Sequence, residues 1–91
     1  MCSWITEKAL ITGHGKGVAE WLPLTVANVY YDHPVSVPLD HALIVDFVNP
    51  ARGPSARVSV ELSPESAREL VRAIQAALDS AQAKLDLARV S

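Results

Sequence analysis

The sequence predicts an α+β fold: an antiparallel sheet of four or five strands with one C-terminal helix packed on one face. Three features predict it. Strand-like segments fill residues 4–62, the clearest helical periodicity follows from about 63 to 85, and the order of strands first, helix last points to an antiparallel sheet. A single domain of 91 residues with a modest core follows from the length.

The elements can be justified in order. From Trp4 to Thr12, Ile5, Ala9 and Ile11 alternate with Thr6, Lys8 and Thr12, the period of a half-buried strand, although Glu7 interrupts the apolar side. "GHGKG" at Gly13 to Gly17 has the glycine density of a tight hairpin reversal. "VAEWLPLTVANVYYD" is strand-like on both sides of Pro23, which marks a bulge, an edge or a break between two short strands because proline lacks a ladder donor. After a loop punctuated by Pro34 and Pro38, "HALIVDFV" from His41 to Val48 is apolar at nearly every position and reads as a central strand covered on both faces. "NPARGP" is a turn-rich connection, and in the strand that follows Ala56, Val58, Val60 and Leu62 point inward while Arg57, Ser59 and Glu61 point outward. Ser63 as cap, Pro64 at the first helical position and Glu65 at the positive end of the dipole start the helix. Its apolar stripe runs through Leu70, Val71, Ile74, Leu78 and Leu85, thinning beyond Asp79.

Composition limits function. With 49% hydrophobic and 20% charged residues the chain has the balance of a folding protein. A net charge of -2 with eight scattered Lys and Arg gives no basic stripe, so nucleic acid is not an expected partner. Apolar runs are too short for a bilayer and "MCSWITEK" lacks the features of a signal peptide, so no membrane association and a cytoplasmic location are expected. One cysteine cannot form an intramolecular disulfide.

Chemistry has few places to reside. "GHGKG" lacks both the spacing and the following helix of a phosphate loop. Cys2, His33, His41 and Asp46 are the candidate ligand-binding residues. If Met1 were removed, Cys2 would combine a free amine with a thiol. Two chain paths gather possible metal ligands. If Pro23 separates two strands, His14, His33 and His41 share one end of the sheet; if Lys16 to Asp32 is one bulged strand, Cys2, His33 and His41 share it. Either set suits Zn²⁺ or copper, with His33 and His41 as the common metal candidates, yet the spacing matches no recognised motif. Histidines that merely shoulder a loop are commoner. Asp32 and Asp40 could each orient a histidine or form an Asx turn. Asp46 interrupts an apolar strand; if buried it needs a donor or a raised pKa, which would make it a ligand contact, whereas a pair with Arg57 on a neighbouring strand would be structural, the safer expectation.

The segments "MCSWITEKALITGHGKG", "YDHP" and "DFVNPARGPSARVSVEL" together resemble a family of small actinobacterial proteins that carries only a domain of unknown function. The resemblance implies a bacterial cytosolic origin and supplies no catalytic role and no cofactor. The expectation is therefore a small binding or accessory module, a homodimer holding a small molecule or a partner protein, because one helix cannot cover both sheet faces. The alternative is a metal- or cysteine-dependent enzyme built on Cys2 with His33 and His41.

Overall fold

The computed structural model describes residues 6–90. Four strands, β1 (Glu7–Lys16), β2 (Trp21–Asp32), β3 (Ala42–Val48) and β4 (Arg57–Leu62), precede two helices, α1 (Pro64–Leu78) and α2 (Ala81–Val90). The strands form one antiparallel sheet in the order β1-β2-β3-β4, so each pairs with the next along the chain. The antiparallel sheet followed by helix is as expected, with four strands. Trp4 and Ile5, expected at the start of the first strand, lie outside the described residues.

The first hairpin corrects the reading of its glycines. β1 continues through Lys16, and the reversal lies beyond it, closed by the Gly17 N–H donating to the Glu20 carbonyl at 2.8 Å. Gly13 and Gly15 are strand residues, with a bulge in β1 between Leu10 and Gly13. Among the described residues only Gly53 has positive φ, at 83°. At Gly15 the requirement is close approach: a Cβ there would stand 2.5 Å from a Leu24 methyl and 3.2 Å from Val58. Leu24 is itself buried, so it has little room to retreat.

Pro23 does not break β2. It pairs opposite His14, while β3 joins β2 only from Val26 onward, so its missing donor falls where β2 has one neighbour. Its carbonyl accepts from the Asn49 side chain at 3.1 Å. Asn49 is buried and also accepts from the Ala51 N–H at 3.1 Å, tying the β3–β4 connection back to β2.

Register separates the central sheet into two unlike faces. Tyr30, Ile44, Asp46, Arg57, Ser59 and Glu61 share one; Val29, Leu43, Val45, Phe47, Val60 and Leu62 share the other. Ala42, Ile44 and Asp46 on the first face are all buried, although α1 lies on the other one. The connection from His33 to His41 and the polar side chains of β4 cover it instead.

α1 lies beside the second face. Ser63 caps it as expected, its Oγ accepting from the Ser66 N–H at 3.1 Å. One helix to about residue 85 is not observed: α1 ends at Leu78, and Ser80 Oγ accepts from the Ala83 N–H at 3.3 Å as α2 begins. Short polar side chains at Asp79 and Ser80 offer the backbone local alternatives to continuous helix, which accounts for the break. Between α1 and the sheet runs an apolar groove of about 520 Å³ lined by Val29, Val45, Phe47, Leu70, Val71 and Ile74. The helix side stays open, with Leu70 47%, Val71 66% and Ile74 51% exposed. Among the described residues no helix is long and apolar enough to cross a membrane.

Candidate functional site

The first sheet face carries a concavity of about 700 Å³. Its floor is Ile44, with Tyr30, Asp46, Arg57 and Ser59 beside it, and Val35, Ser36 and Val37 of the loop form its roof. Strand alternation delivers this composition directly: the residues of β4 that point away from α1 are Arg57, Ser59 and Glu61, and register puts Ser59 opposite Asp46 and Glu61 opposite Ile44.

Asp46 is the hub of the polar side. Its carboxylate accepts from Ser59 Oγ at 2.6 Å, from the Tyr30 hydroxyl at 2.8 Å and from the Arg57 guanidinium at 3.0 Å. Arg57 Nε also donates to Ser59 Oγ at 3.1 Å, closing a ring of contacts. Burial alone would raise the Asp46 carboxyl, but hydrogen bonds from Ser59 and Tyr30, with the charge of Arg57, outweigh it and hold the group below its ordinary value. The same geometry raises Tyr30, chiefly through burial and then because its hydroxyl proton is held by Asp46. The expected Asp46–Arg57 pair is thus present. No buried side-chain polar atom among the described residues lacks a partner.

Glu61 holds the roof. Its carboxylate accepts the backbone N–H groups of Val35 at 2.6 Å, Ser36 at 2.9 Å and Val37 at 3.0 Å. These donors, Val35 foremost, keep its carboxyl below the ordinary glutamate value. A loop with two prolines and little helical or strand character thereby gains a fixed position from one strand side chain.

At the foot of the loop, His33 and His41 come together, with ring centroids 4.8 Å apart, and Tyr31 stacks beside His41 at 6.0 Å. The Asp32 carboxylate accepts from the His33 N–H at 2.7 Å, and the Asp40 backbone carbonyl lies 3.0 Å from His33 Nδ1, so Asp40 orients the ring through its main chain. His14 sits on β1 opposite Pro23, toward the other end of β2. The path in which Pro23 separates two strands and His14 joins the other histidines is therefore overturned; β2 is unbroken at Pro23 but runs only from Trp21 to Asp32, not from Lys16 as the other path has it, because Lys16 belongs to β1. Cys2 lies outside the described residues. No group of three or more His, Cys, Asp or Glu side chains able to hold a metal occurs among the described residues.

Of the residues singled out in the sequence, His33 and Asp46 line the concavity and His41 lies beside His33, whereas Tyr30, Ser59 and Glu61, which line it as well, were not singled out as candidates. A usable signal existed: Arg57, Ser59 and Glu61 alternate on the strand face that must adjoin the lone aspartate of β3.

The profile described as "Family of unknown function (DUF6295)" matches residues 1–87, and the chain belongs to that family. No curated protein and no solved structure matches the chain.

Proposed function

For this member of a family without an assigned activity, we propose a small binding or accessory module: a homodimer that holds a small molecule beneath the 33–41 loop and performs no catalysis. The roofed concavity carries the reading. Its volume of about 700 Å³ is in the range of small-molecule sites, and apolar Val35, Val37 and Ile44 surround a few oriented polar groups. Those groups are fixed before any ligand arrives, Asp46 by three donors and the roof by Glu61, which lowers the ordering cost of binding. The chemistry favours a compact ligand with one hydrogen-bonding edge for Ser59 and Arg57 and one apolar edge for Ile44.

Dimerisation is supported by the opposite face. The chain offers both an apolar groove between α1 and the sheet and an apolar helix ridge beside it, the pair of shapes that a two-fold contact with a second copy would use twice. A bacterial cytoplasmic setting completes the proposal, in keeping with a single cysteine and no disulfide.

A thermal-shift screen of small polar metabolites on the full chain, followed by amide NMR mapping, tests the site. The expected result is a ligand whose shifts cluster on residues 30–37 and 57–61 and whose binding is abolished by Ser36→Trp, which fills the concavity. A stable dimer with no ligand mapping there would replace the proposal with a purely structural assembly partner.

A further inference from the structure

A helix of 10 residues such as α2 is marginal in water by itself and draws its stability from packing an apolar side against something else. The protomer supplies little for it to pack on. α2 meets α1 at their junction and packs on no strand to the extent that α1 does. Leu85 and Leu87 accordingly stand 56% and 57% exposed. Leu85 also belongs to a longer ridge: Leu70, Ile74, Leu78 and Leu85 follow at helical spacings of four, four and seven residues, so the apolar stripe of α1 continues in sequence across the break at Asp79 and Ser80. No residue of α1 is buried, and the ridge borders the open side of the apolar groove above Val45 and Phe47.

Area indicates how large a contact this surface awaits. The protomer exposes 6953 Å², whereas a compact monomer of this size exposes about 5,200 Å², leaving about 1,800 Å² in excess. One side of a standard interface takes about 800 Å², and permanent homodimers take more. The radius of gyration agrees: it is 15.1 Å, against about 12 Å for a compact chain of this length. The groove and the α1 ridge beside it account for only part of such a surface. Extending the contact over α2 brings in the rest.

We infer that α2 is an interface arm: Leu85 and Leu87 pack on a second copy of this chain, across the open side of that copy's groove between α1 and the sheet. A second copy is the fitting occupant because one chain carries both the apolar groove and the apolar ridge, and a two-fold axis satisfies each of them twice. The inference rests on the homodimer proposed above and adds the element that completes its interface. The competing account is a strap, in which α2 folds back over the groove of its own chain.

Half-filtered NOE spectra of a full-length dimer refolded from isotope-labelled and unlabelled chains separate the two accounts. The expected result is a set of intermolecular NOEs from the Leu85 and Leu87 methyls to Val45, Phe47 or Val71. In the full chain, Leu85→Gln with Leu87→Gln keeps good helix formers on α2 and should raise the dimer dissociation constant at least about tenfold, the least expected from returning two leucines to water. NOEs from these methyls to the groove of their own chain alone, or a dissociation constant unmoved by the double variant, would overturn the arm and leave the dimer standing. A wild-type chain that is monomeric at tens of micromolar would overturn the dimer and the arm together. Because the NOEs are read on the unaltered protein, the decision stands even if the variant fails to fold.

Discussion

The Glu61 carboxylate accepts the Val35 N–H at 2.6 Å across 26 residues of chain, and the same carboxylate takes the next two N–H groups of the loop. A half-buried side chain thus organises the roof of the concavity. Glu61→Ala should release that roof while leaving the sheet intact. Hydrogen exchange at Val35, Ser36 and Val37 should accelerate at least tenfold, with β3 amides unchanged. Equal acceleration in β3 would show that Glu61 supports the sheet as a whole.

Asp46 should matter more to global stability than its partner Arg57. Asp46→Ala leaves three donors without their acceptor and should cost about 1–3 kcal/mol by urea denaturation. Arg57→Ala should cost under about 1 kcal/mol, since its guanidinium is 54% exposed and solvent screens the pair. A larger loss for Arg57 would overturn this ranking.

Both carboxyl groups are held below their ordinary values, which fixes the sign of the acid response. Their contribution is full above the unfolded-state values of about 4 and disappears as pH falls through the lower folded-state values. The urea midpoint should therefore decline below about pH 4, and Asp46→Asn should flatten that decline. An equally steep decline in the variant would assign the acid response to other groups.

Val71→Asp with Ile74→Asp should convert a dimer to a monomer in sedimentation equilibrium without loss of helical circular dichroism, because both side chains are more than half exposed in the protomer. A wild-type chain that sediments as a monomer at tens of micromolar would remove the dimer from the proposed function.

Gly15→Ala should destabilise by about 1–3 kcal/mol through overpacking against Leu24 and Val58. Gly13→Ala is its control, since nothing lies within 4 Å of a Cβ there, and it should stay within about 0.5 kcal/mol. Equal effects at the two positions would mean that backbone entropy, not contact, sets the glycine requirement.

The helix start was legible because Ser63, Pro64 and Glu65 act within one turn, and β4 was legible because its alternation is unbroken. The first hairpin was not. Glycine density signals positive φ and close approach equally well, and only the positions of Leu24 and Val58 reveal which one Gly15 serves. Pro23 was ambiguous for a similar reason, since its tolerance depends on where β3 begins to pair. Within the site, Asp46 and the histidines stood out as residue types, whereas Glu61 looked like any solvated strand carboxylate until the loop returned to it. Contacts made across 26 residues leave little local trace.

A meander in which every strand pairs with its predecessor needs only short loop closures, a topology that favours rapid assembly from one end. During synthesis, β1, β2 and β3 can zip together before Arg57, Ser59 and Glu61 leave the ribosome. Asp46 and the proline-bearing loop must then wait for the last strand. The roofed concavity is consequently a late product of folding, and a translation intermediate lacking β4 would possess most of the sheet with its roof still unfastened.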